Sequence, residues 1–358
     1  MCRTIAHINI LPYLCRIKYY SPMKRVTIKD IAHSLRLSPS TVSRALSDDK
    51  NIRKETKQRI FKMAEELGYR RNNLAASLRC GQTHTVGVIA SEMLSPFSSL
   101  VLNGIQEVMH RNGVCLLVAN SDNSSDQELR NLQIMENSLV EGIIMSAVDR
   151  SDNADELKRI RAKGIPVVCF AHAPAGLDIP RVVTNDYDKA LYLMDHLVCS
   201  GRRRIVHVKG PENCSGINDI HKAYLDSLKR FRIDFDPTLV RPASISIEEG
   251  RRVATELTEE KVAFDALFAC DDLIAIGAMN RLRELGVRIP EDVSIAGFYG
   301  SPLSRIVFPP LTTVEPPLLE MGQKAAELLL LQINNPEAKA GKVIVDARLQ
   351  LRASTNHA

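Results

Sequence analysis

The chain has no tryptophan, and aromatic residues make up only 5% of its 358 positions. Its core must therefore be built mainly from aliphatic side chains. Eight cysteines are present, but no C-x-x-C pair and no His/Cys cluster at zinc-finger spacing occurs. That pattern excludes the common structural zinc sites and speaks against a disulfide framework. Cys115, Cys169 and Cys270 fall in apolar runs and are expected to be small core residues in a reducing cytosol. No apolar run reaches the ~18 residues that a membrane span requires, so no membrane partner is expected. The motifs G-x-G-x-x-G, G-x-x-x-x-G-K-[ST], H-E-x-x-H and G-x-S-x-G are all missing, and the scattered histidines form no obvious triad. No cofactor, metal or catalytic group is called for.

What is present is an uneven charge. The formal net charge is +5, yet residues 23–82 hold 14 Lys and Arg against 6 Asp and Glu. Residues 1–22 add +3, and the remainder is mildly acidic at −6. A small basic head on an acidic body points to nucleic acid as the partner of the head. The first 22 residues, MCRTIAHINILPYLCRIKYYSP, have an apolar run broken by His7, Pro12, Arg16 and Lys18, with no small-residue cleavage site after it. They are expected to be either a disordered extension or an upstream mis-extension with Met23 as the natural start.

Within the head, Ile28, Ile31, Ala32 and Leu35 follow helical spacing behind Thr27 as N-cap. A second helix starts at Ser38, an N-cap, with Pro39 in the first helical position, where its missing N–H costs nothing. Val42, Ala45 and Leu46 form its buried stripe. A third helix, Glu55 to Leu67, is expected to pack through Ile60, Ala64 and Leu67 and to stop at Gly68 in a left-handed conformation. This spacing predicts a helix-turn-helix. In such a motif the start of the second helix enters the major groove. Short hydroxyls and helix N-terminal amides there suit phosphates, and Arg44 suits the edge of a guanine.

The words V-T-I-K-D-I-A, S-T-V-S-R-A-L and E-L-G-Y-R-x-N resemble the N-terminal signature of the lactose/galactose-repressor (LacI/GalR) family. The resemblance implies that Pro39, Ser40 and Arg44 read bases, and that Thr27, Ser38, Thr41, Ser43, Asn51 and Tyr69 hold the DNA backbone. It also implies a linker at residues 71–82 containing a short helix. That stretch is too short to be helical alone in water, so it needs a twin and DNA to order it. There Asn72, Ala75, Leu78 and Arg79 match the minor-groove positions, with Leu78 as the wedge between base pairs. The chain departs from the family at Arg71, where a proline is usual.

From Thr85 onward, short aliphatic runs alternate with helical segments: TVGVIA, VCLLVAN, GIIMSA, PVVCF, RIVHVKG, DALFACDD and VSIAGF. Continuous aliphatic strands between helices indicate parallel sheets covered on both faces. Ser125 and Glu128 are expected to form a capping box for one of these helices. The strands are too many for one compact sheet, which predicts two α/β lobes with a cleft at the carboxyl ends of the strands. The expected fold class is thus α/β. A three-helix helix-turn-helix domain (residues 23–70) and a linker (71–82) precede a two-lobed core (83–358).

The resemblance extends through RIPEDVSIAGF, PPLTTVEPP, ACDDLIAIGAM and VIVDARLQLRAST. It implies a periplasmic-binding-protein-like core, a homodimer and a small-molecule effector, most commonly a sugar or derivative. The matching effector positions are Phe97, Ser98, Ala171, Asn218, Ile245, Asp271 and Tyr299. Several depart from the family: Ala171 stands where an Asp is common, Asn218 where an Arg grips the ligand, Tyr299 where an Asp follows G-F. Losing the arginine and two carboxylates removes the charge-assisted hydrogen bonds that orient hydroxyl-rich ligands. The leading expectation is a cytoplasmic, effector-modulated transcription repressor that binds double-stranded operator DNA. The alternative is a solute-binding protein of the periplasmic-binding-protein type, which would have no use for a basic helical head.

Overall fold

The computed structural model describes residues 26–69, 83–93, 95–148, 152–171, 173–174, 176–211, 215–338 and 341–356. The chain divides into two compact units with the boundary between Cys80 and Gly81.

The first unit holds α1 (Ile28–Leu35), α2 (Pro39–Leu46) and α3 (Lys54–Glu66). Thr27 closes the start of α1, its N–H and hydroxyl both donating to Asp30 Oδ2 at 2.7 Å. The turn between α1 and α2 passes through Arg36 with φ of 55°. Ile31, Ala32, Val42, Ala45, Ile60 and Ala64 are buried together, as the helical spacing predicts. Gly68 takes φ of 65°, and the Tyr69 N–H donates back to the Ala64 carbonyl at 2.8 Å. The expected role of Leu67 does not hold. It lies past the last helical turn with its side chain exposed, and Tyr69 packs against the cluster instead.

The second unit contains two parallel sheets. The first lobe carries β1 (Thr85–Ala90), α4 (Pro96–Arg111), β2 (Cys115–Asn120), α5 (Ser125–Asn137), β3 (Ile143–Met145), α6 (Ala154–Ala162), β4 (Val167–Phe170) and β5 (Arg181–Thr184). Helix α7 (Asp186–Cys199) opens the second lobe. It is followed by β6 (Ile205–Lys209), α8 (Ser215–Arg230), β7 (Val240–Pro242), α9 (Ile247–Glu259), β8 (Ala266–Ala269), α10 (Asp272–Glu284), β9 (Ser294–Ala296) and β10 (Thr313–Glu315). The chain returns to the first lobe through α11 (Leu318–Asn334) and β11 (Lys342–Val345), then ends in the second with β12 (Arg348–Gln350). The sheet orders are β11-β5-β4-β3-β1-β2 and β7-β6-β8-β9, all parallel, with a small antiparallel pair β10-β12. Among the described residues, three crossovers, at 184–186, 315–318 and 345–348, thus join the lobes.

Close helix pairs cover the sheets. Helices α4 and α11 cross at Gly104 and Gly322, where an added Cβ would come within 2.1 Å of the Leu319 carbonyl and 2.0 Å of the Val101 carbonyl. The second lobe repeats this device between α9 and α10 with Gly250 and Gly277. Only a residue without Cβ lets two backbones approach this closely.

Two expectations fail for local reasons. Cys115 is exposed, because β2 is the edge strand of its sheet; Cys169 and Cys270 are buried as expected. The N-cap of α5 is Ser124, whose Oγ accepts from the Gln127 N–H at 3.3 Å, so Ser125 and Glu128 form no capping box. Glu128 instead turns inward and is fully buried. It accepts from the Val148 N–H at 2.6 Å and from Asn153 Nδ2 at 2.9 Å, pinning the loop after β3.

Candidate nucleic-acid interface and interlobe cleft

The start of α2 gathers three short hydroxyl side chains. Ser38 Oγ accepts from the Thr41 N–H at 3.1 Å and is hydrogen-bonded to Ser40 Oγ and Thr41 Oγ1, each at 2.8 Å. The hydroxyls are thereby pre-oriented on one another around the helix N-terminus. Ser38, Pro39, Ser40 and Arg44 are exposed, while Val42 and Ala45 on the opposite side are fully buried. Ser40 and Arg44 are one turn apart and share a face. Thr27 and Asn51 are also exposed; Thr41, Ser43 and Tyr69 are partly covered. Asn51 sits in the turn before α3, its N–H donating to Asp49 Oδ1 at 2.9 Å. Asn72, Ala75, Leu78 and Arg79, and the departure at Arg71, lie outside the described residues.

In the second unit, segments that follow the carboxyl ends of strands in the two sheets meet: Phe97, after β1, touches Tyr299, after β9. Phe97 and Ser98 occupy the first turn of α4. Phe97 is partly buried, and Ser98 is buried with its Oγ 3.2 Å from Ser95 Oγ. Ser98 therefore helps to close its own helix end. Ala171 follows β4 with φ of 56°, and its N–H donates to the Val182 carbonyl at 3.0 Å. Asn218 is exposed on the first turn of α8, and Ile245 is 43% exposed in the loop after β7. Asp271 caps α10, accepting from the Leu273 N–H at 2.7 Å. Burial pushes its carboxyl up to about 6, and the Glu92 carboxylate of the first lobe adds to the shift.

Of the expected effector residues, the clearest pairing across the lobes is Phe97 with Tyr299. Their ring centroids are 6.2 Å apart and their planes meet at 84°, an edge-to-face contact. The Tyr299 hydroxyl donates to Asp186 Oδ2 at 3.2 Å. Asp186 was not singled out from the sequence. It stands at the first crossover, is buried, and also accepts from Thr184 Oγ1 at 2.5 Å. Burial raises its carboxyl above the usual range, against the pull of those two donors. An aspartate in an N-D-Y-D run carries no local sign of burial; the crossover after β5 is what buries it. Asp272 is likewise inward, accepting from the Ser301 N–H and from Thr313 Oγ1, each at 2.6 Å, and so holding the Tyr299 loop from below.

Residues 27–72 match the family model for bacterial regulatory proteins of the lacI family, and residues 194–355 match that for a periplasmic binding protein-like domain. The chain is 30% identical over 304 residues to the ribose operon repressor of Bacillus subtilis, covering 85% of this chain and 90% of that protein. Among solved structures, a LacI family transcriptional regulator from Enterococcus faecium with bound ribose is 26% identical. It has a TM-score of 0.67, over 76% of this chain and 98% of that one. The lac repressor dimer bound to operator and an anti-inducer shares the fold at 22% identity, with a TM-score of 0.83 over 93% and 99% of the two chains. Together with the helix-turn-helix and the two-lobed core, these likenesses show that the chain belongs to the lacI family of bacterial regulatory proteins.

Proposed function

We propose that this chain is a sequence-specific DNA-binding transcription repressor. It works as a cytoplasmic homodimer whose operator affinity is set by a small molecule held between the two lobes. The observation that carries the reading is the join, in one chain, of a lacI-type helix-turn-helix with an exposed hydroxyl-rich recognition start and a two-lobed binding core. A solute-binding protein has a use for the core alone.

In this reading Pro39, Ser40 and Arg44 face base edges, Arg44 gripping a guanine through O6 and N7. Thr27, Ser38, Thr41, Ser43, Asn51 and Tyr69 hold phosphates and set the register. Two copies present two recognition helices to two half-sites, which favours a palindromic operator. The linker at residues 71–82 couples DNA to the core. A ligand that favours one arrangement of the lobes shifts the population of linker states, and DNA affinity follows by the same coupling free energy. The effector site is the cleft lined by Phe97, Ser98, Ala171, Asn218, Ile245, Asp271 and Tyr299. The ribose in the Enterococcus faecium regulator supports a sugar-like ligand.

The test is operator selection from a random duplex pool with the full chain and its Arg44→Ala variant. Wild type should enrich a palindrome. The variant should lose about 1–3 kcal/mol of specific binding and relax its preference at one base pair per half-site. Failure of the wild type to enrich any sequence would remove the reading, and unchanged selection by the variant would remove Arg44 as a base reader.

A further inference from the structure

Tyr299 sits where three parts of the core meet. Its ring edges against Phe97 of the first lobe at 6.2 Å and against Phe298 of the second at 5.1 Å. Its hydroxyl donates to Asp186 at the crossover between the lobes. Gly216, in the first turn of α8, lets this happen: a Cβ there would lie 2.5 Å from the Tyr299 hydroxyl and 2.7 Å from Asp186 Oδ2. The backbone of Tyr299 is held at φ of 78°, a region a bulky side chain rarely adopts. It is kept there from both sides. Gly297 N–H donates to the Thr312 carbonyl at 2.9 Å, and Ser301 N–H donates to buried Asp272 at 2.6 Å. Strain of this kind costs of order 1–3 kcal/mol and persists where the surroundings over-determine it. Here the surroundings aim a phenol across the cleft.

We propose that the Tyr299 side chain is a built-in occupant of the effector cleft, bridging both lobes and the crossover in the place of a ligand, so that a small molecule must displace it to bind. The inference rests on the reading of the cleft as an effector site. Once the phenol leaves, the effector must supply an apolar face for Phe97 and a hydroxyl or ammonium donor for Asp186. The ring contact leaves no room for a second planar group between Phe97 and Tyr299, so ligand and phenol exclude each other.

The test uses the full chain without DNA, in hydrogen exchange and calorimetry. Tyr299→Gly removes the phenol and suits the positive φ, so the fold is not strained by the change. Amide exchange should quicken several-fold both at residues 185–187 and at residues 97–99, on the two sides of the cleft. p-Cresol, the missing side chain as a free molecule, should bind the variant, restore slow exchange at both segments, and leave wild type unaffected. Tyr299→Phe keeps the ring and loses the donor; it should quicken exchange at 185–187 only. Changes confined to residues 297–301, or equal effects of p-cresol on wild type, would overturn the proposal. Because no DNA is present, that outcome would leave the DNA-binding reading standing, whereas failed operator selection would remove that reading without touching the exchange result.

Discussion

At the residue scale, the acidic side chains of the cleft are the informative ones. Asp271 is a helix cap in a place where burial and Glu92 disfavour its charge. A carboxyl raised from its ordinary value to about 6 binds a proton more readily in the folded than in the unfolded chain. Its contribution to stability is therefore fully present below about pH 4 and is lost as pH rises through about 6. Asn at this position keeps the cap acceptor for Leu273 and carries no charge. Asp271→Asn should match wild type in thermal melts near pH 4 and exceed it at pH 7, by up to roughly 3 kcal/mol. Equal curves at both pH values would show that the Asp271 charge is not strained. Asp186 is buried by the same physics at the crossover, where its donors are Thr184 and Tyr299.

At the element scale, the glycines at the helix crossings set the distances. Gly104 and Gly322 let α4 and α11 touch through backbone, and Val101, Ile105, Met321 and Ala325 then close around that contact. In Gly322→Ala the new Cβ would meet the Val101 carbonyl at 2.0 Å, and no flexible side chain is there to yield. One helix must move. Overpacking of this type costs roughly 1–3 kcal/mol or more. The variant should show a lower urea midpoint with an unchanged slope, the signature of lost stability without a change in unfolded-state exposure. An unaltered midpoint would mean that the helices slide apart freely. The head has its own element-scale logic: α2 buries Val42 and Ala45 and leaves its hydroxyl-rich start and Arg44 to solvent.

At the scale of the whole molecule, charge separates the two tasks. Residues 23–82 carry a net charge of +8 against a body of −6. Such a head binds a polyanion by releasing counterions, while the acidic body is repelled by it. Neutralising about six phosphates predicts a log–log slope of DNA affinity against salt near −5. Filter binding or fluorescence anisotropy across a salt series measures it. A flat response would remove nucleic acid as the main partner. Affinity should rise with effector or fall with it, depending on which lobe arrangement the ligand favours, but the salt slope belongs to the head.

The helix-turn-helix was legible in the sequence because its signals are local. An N-cap serine with proline behind it, a 3.6-residue stripe and a stopping glycine each act within one or two turns. The alternation of aliphatic strands and helices likewise predicted two parallel lobes, because strands buried on both faces need apolar residues at every position. Local signals failed where one residue of register mattered. The cap at Ser124 rather than Ser125 turned Glu128 from a capping partner into a buried brace for Val148 and Asn153. Burial of Cys115 was misread because an edge strand and an inner strand have the same composition; only the sheet order separates them. The composition of the cleft could be listed from the sequence, but not its connections. Asp186, Gly216 and Tyr299 are separated by 30 and 83 positions in the chain. Asp186 stands at the first crossover, and Gly216 and Tyr299 lie in the second lobe before the next one, so their meeting depends on how that lobe's strands are ordered, and a contact of that span leaves no periodicity to read. Residue type and spacing determined what the chain is; the tertiary structure decided which of its polar groups face one another.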